Sequence, residues 1–307
     1  MQAIVYKSTG SRYIVKNEFG KIYNVRIKGK FKIDQITSTN PIAVGDIVEI
    51  ENENDIESAV INEIYERKNY INRVSPHNKN QHHIVASNLD QSLLFATLKE
   101  PKTSLGFIDR FLITSEAYQV PAIIVFNKLD VYGKKELQKL DHIKKLYESI
   151  GYQILTISLI EDSGTEALQL LLKNKTTLLS GHSGVGKSTF INKLFPNLRI
   201  KTQDVSGWSG KGMHTTTFAE MFDLPIGGKI IDTPGIKEMG LVDIEKNELA
   251  HYFPEMKSVM NDCQFNNCVH INEPGCAVKN AVGNNSIDIE RYSSYLNIIE
   301  SIGSKSY

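Results

Sequence analysis

Asn127-Lys128-Leu129-Asp130 reads N-K-x-D, and Gly181-His182-Ser183-Gly184-Val185-Gly186-Lys187-Ser188 reads G-x-x-x-x-G-K-S. The second spacing is that of a phosphate-binding loop. Backbone N–H groups from Ser183, Gly184, Val185 and Gly186 to Ser188 can cradle phosphates at a helix N-terminus. Lys187 can reach the β and γ phosphates, Ser188 can offer its hydroxyl to Mg²⁺, and Thr189 follows at the start of the helix. The first motif chooses the base. The Asp130 carboxylate can accept from N1–H and the 2-amino group of guanine. Adenine offers no such pair of donors and would leave a buried charge unpaired. Asn127 would tie the base loop to the phosphate loop, and the Lys128 stem would cover one ring face. Ser158, at the end of the next apolar run, is the candidate for a supporting base contact; Leu159 follows it.

Asp232-Thr233-Pro234-Gly235 supplies D-x-x-G. Asp232 can hold the water shell of Mg²⁺, and the N–H of Gly235 can sense a γ-phosphate. The usual order of these elements is phosphate loop, D-x-x-G, N-K-x-D; here the last comes first, which predicts a circularly permuted domain. Many small GTPases place a water-orienting Gln directly after D-x-x-G. That position is Ile236, whose aliphatic side chain can neither accept from nor donate to water. His214, in Gly212-Met213-His214-Thr215-Thr216-Thr217, is the replacement candidate, since a neutral imidazole can accept from an attacking water. One of the three threonines is expected to ligate Mg²⁺, with Thr216 preferred over Thr215 and Thr217.

Cys263-x4-Cys268-x-His270-x5-Cys276 offers three thiolates and one imidazole. Four such ligands with no open position suit a structural Zn²⁺. These are the only cysteines of the chain, and their odd count argues against a disulfide framework.

Elements must exist to hold these groups. Residues 1–70 carry short period-two runs, among them Tyr13–Val15, Ile22–Ile27, Phe31–Ile33, Val44–Ile50 and Ala59–Tyr65, which predict a small OB-fold barrel. The polar stretch 71–91 reads as a linker. Residues 92–238 alternate apolar strands with helical spacings, predicting a mainly parallel sheet with helices on both faces and ligands at the strand carboxyl ends. Residues 239–307 read as a mainly helical unit stapled by zinc. The chain is therefore expected to be multidomain α/β. A length of 307 residues accommodates such a division. No apolar run approaches the roughly 18 residues of a membrane span. The first residues lack a signal-peptide stretch, so the reading is cytoplasmic, with no membrane contact. Net charge is zero, but residues 1–35 carry eight basic against two acidic side chains, and residues 46–66 carry eight acids and no Lys or Arg. The first segment could offer a basic face to RNA phosphates; the alternative is a pair of solvated strand faces that attract each other.

The combination resembles the circularly permuted, ribosome small-subunit-dependent GTPases of bacteria, over nearly the whole chain. Val44-Gly45-Asp46, Ala86-Ser87-Asn88-Leu89-Asp90, Ile108-Asp109-Arg110-Phe111-Leu112, the permuted nucleotide motifs, Gly212-x-His214-Thr215-Thr216-Thr217 and the Cys-Cys-His-Cys cluster all carry the likeness. It implies an OB domain, a permuted GTPase domain and a zinc domain. It implies GTP and GDP with Mg²⁺, turnover stimulated by the small (30S) subunit, rRNA contact and a role late in assembly of that subunit. It also implies a catalytic role for His214, and a monomer is expected. Met213 stands where the family more often has Arg, and Leu159 where it has Ala. The competing reading is a GTP-regulated RNA-binding switch on another RNA or protein complex, supported only by Ile236.

Overall fold

The structure is a computed structural model that describes residues 1–9, 12–27, 41–52, 58–74, 82–194, 219–233 and 244–303. The Phe31–Ile33 run, the 212–217 segment with Gly212, His214, Thr215, Thr216 and Thr217, and Gly235 with Ile236 lie outside these residues.

Five strands form the N-terminal barrel: β1 (Gln2–Ser8), β2 (Tyr13–Asn17), β3 (Ile22–Ile27), β4 (Ile47–Asn52) and β5 (Ser58–Ile64). Their order is β1-β2-β3-β5-β4, closed by β1–β4 pairing, with β3–β5 the parallel pair. Alternation puts Val5, Val15, Val25, Val48, Ile50 and Ile61 inside, each at most 3% exposed. Strand β1 was not among the sequence expectations. Its Gln-Ala-Ile-Val-Tyr-Lys-Ser run offers half-buried residues between the buried ones, so its period is blurred. Asp46 is fully buried below the barrel, where it takes both prongs of Arg67 at 2.7 Å and the hydroxyl of Ser87 at 2.6 Å.

The stretch expected to be a linker carries instead a two-stranded ribbon, β6 (Tyr70–Val74) and β7 (His82–Ser87). Ile71, Ile84, Val85 and Ala86 are buried, and Ile71, Val85 and Ala86 pack into the central core.

The central sheet follows: β8 (Gln91–Ala96), α1 (Leu105–Ala117), β9 (Ala122–Phe126), α2 (Lys134–Ile150), β10 (Gln153–Thr156), α3 (Thr165–Leu172), β11 (Thr176–Ser180), α4 (Lys187–Leu194), β12 (Glu220–Asp223) and β13 (Lys229–Asp232). Its order is β10-β9-β8-β11-β13-β12, parallel except for β12. Leu94, Ala96, Ile124, Phe126 and Ile231 face one core, and Leu93, Phe95, Ile123, Val125 and Ile230 the other. Burial on both faces is why these strands read as unbroken apolar runs. The helices are set locally: Ser104 caps α1, and the Glu136 carboxylate accepts from the N–H of Gly133 at the head of α2.

The C-terminal unit holds α5 (Pro254–Lys257), α6 (Ala277–Gly283) and α7 (Ile289–Gly303). Its core of Leu249, Phe253, Met256, Val278, Tyr295 and Ile298 also takes in Ile113 of α1. Arg291 of α7 is 1% exposed. It pairs with Asp109 of α1 and Glu255 of α5, and lies over the rings of Phe253 and Tyr147. Among the described residues no helix is long and apolar enough to cross a membrane.

Removing one partner of a buried charge set leaves the others uncompensated. Arg291→Met is expected to lower unfolding free energy by about 3–5 kcal/mol, read by urea denaturation. A midpoint unchanged from the parent would show that the set contributes nothing.

Candidate functional site

The ends of four parallel strands define the site. The N-K-x-D loop leaves β9, the phosphate loop leaves β11, Asp232 ends β13, and Ser158 lies just past β10. Cross-strand register brings these ends level: Phe126 faces both Ala96 and Thr156, Ser180 faces Leu94, and Asp232 faces Leu179. Carboxyl ends of parallel strands are where ligands bind in such sheets.

Within the phosphate loop, Gly181 has φ +133° and Gly186 φ +103°, conformations that glycine adopts without strain. A Cβ at Gly181 would lie 2.3 Å from the Phe95 carbonyl oxygen, and one at Gly186 would lie 2.2 Å from Nδ2 of Asn127. The loop is thus packed to a backbone surface that can close on phosphates. Lys187 donates to the carbonyls of Gly181 and His182 at 2.6 and 3.0 Å. Burial lowers its pKa, while Asp232 acts in the opposite sense. Burial likewise raises the pKa of Asp232, and Lys187 opposes that shift. Ser188 is half-buried; Ser183 and Thr189 are exposed. A hydroxyl and a carboxylate beside a phosphate cradle are hard oxygen donors that suit Mg²⁺.

The base loop is held to the phosphate loop by side-chain chemistry. Asn127 is 2% exposed, and its amide donates to the Val185 carbonyl at 2.9 Å. Asn127 Oδ1 is buried with no partner among the described residues, and so is Ser180 Oγ. Lys128 stands in the left-handed region at φ 68° and donates to the Glu100 carbonyl. Ser158 donates to the Asp130 carboxylate at 2.6 Å, and accepts from the N–H of Glu161. That bond fixes the oxygen pair that would read guanine. Leu159 is buried in the apolar cluster of Val185 and Phe190. Its Cδ1 would lie 3.4 Å from a Cβ at Gly186, so the larger side chain fills space under the loop.

Sequence reasoning missed Tyr132. Its hydroxyl donates to the Asn127 carbonyl at 2.8 Å and accepts from the N–H of Leu98 at 2.7 Å. Burial first, with Asp130 among the later causes, pushes this hydroxyl up to about 12. Its spacing, two residues past Asp130, was the available signal, but no motif names it.

In the C-terminal unit the ligand atoms of Cys263, Cys268, His270 and Cys276 all lie within 4.8 Å of one another. His270 Nδ1 is 3.6 Å from Cys263 Sγ and 3.4 Å from Cys276 Sγ. An N···S edge of a tetrahedral zinc site with ordinary bond lengths is about 3.6 Å. Burial, then the neighbouring sulfurs of Cys276 and Cys263, hold the Cys268 thiol well above its ordinary range. So many thiols cannot ionise together without a cation, so the donor set fits a metal. The loop is fixed from outside: the Glu273 carboxylate accepts from the N–H groups of Val269, Ile271 and Asn272, and Tyr292 and Tyr295 of α7 donate to the carbonyls of His270 and Val269.

Comparison with known proteins agrees with this arrangement. A family model described as RsgA GTPase matches residues 64–242, and one described as RsgA N-terminal domain matches residues 2–60. The chain is 50% identical to the small ribosomal subunit biogenesis GTPase RsgA of Flavobacterium psychrophilum, over 98% of this chain and 93% of that protein. It is 52% identical to the protein of the same name from Cytophaga hutchinsonii, over 97% of this chain and 98% of that one. The solved structure of YjeQ from Thermotoga maritima superposes with a TM-score of 0.79 at 32% identity, covering 98% of each chain. That of YloQ, titled a circularly permuted GTPase, superposes with a TM-score of 0.75 at 29% identity, covering 100% of this chain and 96% of that one.

Asp130→Asn replaces two charge-assisted acceptors by an amide. Affinity for GDP is expected to fall about 100-fold, from roughly 3 kcal/mol of lost hydrogen bonding. Affinity for xanthosine diphosphate should rise, because the amide can donate to the 2-oxo group. Calorimetric titration with both nucleotides checks it, and unchanged GDP affinity would place the base elsewhere.

Proposed function

The chain belongs to the RsgA GTPase family, and from that premise we propose that it hydrolyses GTP in step with late maturation of the small ribosomal subunit. The observation that supports the reading is the adjacency of the carboxyl ends of β9, β11 and β13, where Asn127, Gly181 and Asp232 follow or end the strands although the base motif comes first in the chain. Asn127, Lys128, Asp130 and Ser158 bind and orient guanine. Ser183 to Thr189 hold the phosphates, with Lys187 turning from loop carbonyls to phosphate oxygens. Ser188, Asp232 and one threonine of 215–217, preferably Thr216, would hold Mg²⁺, which neutralises phosphate charge when bound. Gly235 senses the γ-phosphate, and His214 orients the attacking water. Binding of the small subunit and its rRNA through the flanking domains positions His214. Slow turnover alone and faster turnover on the subunit follow from this gating.

Residues 1–70, 92–238 and 239–307 are the corresponding OB, GTPase and zinc units. The 71–91 segment joins the first two, with β6 and β7 docked on the central core. The protein acts as a cytoplasmic monomer, and Cys263, Cys268, His270 and Cys276 hold one structural Zn²⁺.

Steady-state GTP hydrolysis with purified small subunits tests the function, with ATP and large subunits as controls. Stimulation by small subunits alone is expected, with His214→Ala losing about 10²–10⁴-fold of the stimulated rate. Binding of GTP without any stimulation would favour a binding switch on another complex.

Zinc is expected at one atom per chain in protein purified without chelator. Its removal should release Cys263, Cys268 and Cys276 as reactive thiols and lower the melting temperature of the C-terminal unit. Absence of metal in such protein would remove the assignment.

A further inference from the structure

We propose that Lys7 of the barrel, acting through Glu220, is a positioning residue for the Mg²⁺ corner of the nucleotide site. The inference rests on the reading of Asp232 given above. Lys7 lies directly opposite Glu220 where β1 pairs with β12, and Glu220 lies directly opposite Asp232 where β12 pairs with β13. Residues opposite one another in an antiparallel pair share a face of the sheet, with Cβ atoms about 4.5–5.5 Å apart. Lys7 Nζ stands 3.0 Å from a Glu220 carboxylate oxygen. On the far side of Asp232, Lys187 of the phosphate loop opposes its charge. Lys7, Glu220, Asp232 and Lys187 therefore form one row of charges, signed plus, minus, minus, plus, running from the barrel to the phosphate loop.

Two like charges opposite each other on neighbouring strands are unfavourable. The row is tolerated because each acid has a cation on its outer side. Glu220 is therefore a second negative charge beside the acid assigned to the metal, and Lys7 decides how much of it is felt. Lys7 is not the only polar contact across the seam. The Tyr6 hydroxyl donates to Asp223 at 2.6 Å, and Lys16 pairs with the other oxygen of Asp223 at 2.5 Å. Both side chains of the Lys7–Glu220 pair are partly covered, at 26% and 35% exposure, which limits screening by salt.

Binding of a fluorescent non-hydrolysable GTP analogue to the full chain, titrated against free Mg²⁺ at low salt, reads this without requiring turnover. Lys7→Gln leaves Glu220 unopposed and is expected to lower the Mg²⁺ midpoint by at least about threefold. Glu220→Gln removes the charge and is expected to raise it by at least about threefold. The double variant removes both charges, so its midpoint should fall between those of the two single variants. Asp232→Ala serves as the control that abolishes most of the Mg²⁺ dependence. Shifts of both single variants in the same direction would mean a merely structural seam and would overturn the proposal. So would parent-like midpoints in both while Asp232→Ala has its effect. An Asp232→Ala protein with the parent midpoint would instead overturn the assignment of Asp232 itself, and the proposal with it.

Discussion

The bond from the Asn127 amide to the Val185 carbonyl is the constraint on which the nucleotide site depends. A nucleotide demands that the group reading its base and the group holding its phosphates keep a fixed separation. The backbone cannot supply that here, because the two loops are 58 residues apart in the chain and leave different strands. The hydrogen bond does so from a buried position, where leaving either partner unmet would cost about 1–3 kcal/mol. The glycine at 186 is tied to the same contact, since any side chain there would occupy the place of the Asn127 amide. Tyr132 then fixes the carbonyl of the same asparagine, so both its side chain and its backbone are held. Permutation of the chain is tolerated because these restraints run through space.

The two flanking units are attached by different physics. The C-terminal unit shares a core with α1 and buries a full charge set at that boundary, with Arg291 bonded to acids from two helices. Such a set fixes one arrangement, since any displacement strands a charge away from water. The barrel meets β12 through a single registered residue pair and partly exposed polar contacts. A second attachment runs from Asp46 to Arg67 and Ser87 beneath the barrel. Its own apolar core is built from the five strands and Ile42, while Val44, Ile4 and Tyr6 pack into the central core. The Cys-His loop is bound to α7 by Tyr292 and Tyr295, and α7 to α1 by Arg291, so that its geometry is continuous with the central sheet.

The candidate nucleotide and metal groups stand out in the sequence because their chemistry is written at short range. A phosphate loop needs its glycines and lysine within eight positions, and a metal loop needs its ligands within reach of one atom. Central strands were legible because burial on both faces leaves an unbroken apolar run. What was not legible depends on partners far along the chain. Arg291 reads as an ordinary helix-surface residue until Asp109 and Glu255 are placed beside it. Glu273 reads as one more polar residue between the metal ligands, yet it collects three backbone N–H groups of the ligand turn. The ribbon at 70–87 was hidden because a few apolar residues sit among polar ones, and only docking reveals which face they share. Leu159 looked like a departure from pattern, and its burial beneath the phosphate loop accounts for its size.

The position of β11 has a consequence for synthesis. It is the strand that lies between β8 and β13, yet it is made after β8, β9 and β10. A nascent chain that ends before residue 176 can pair those three strands, but β8 is then an open edge, although Leu93, Leu94, Phe95 and Ala96 are all destined for full burial. Open apolar edges invite pairing with other chains. On the ribosome the half-sheet must therefore be shielded, or left unfolded, until the phosphate-loop strand emerges and closes it. In an unpermuted order that strand comes first and the sheet grows outward from its centre; here the centre is filled late.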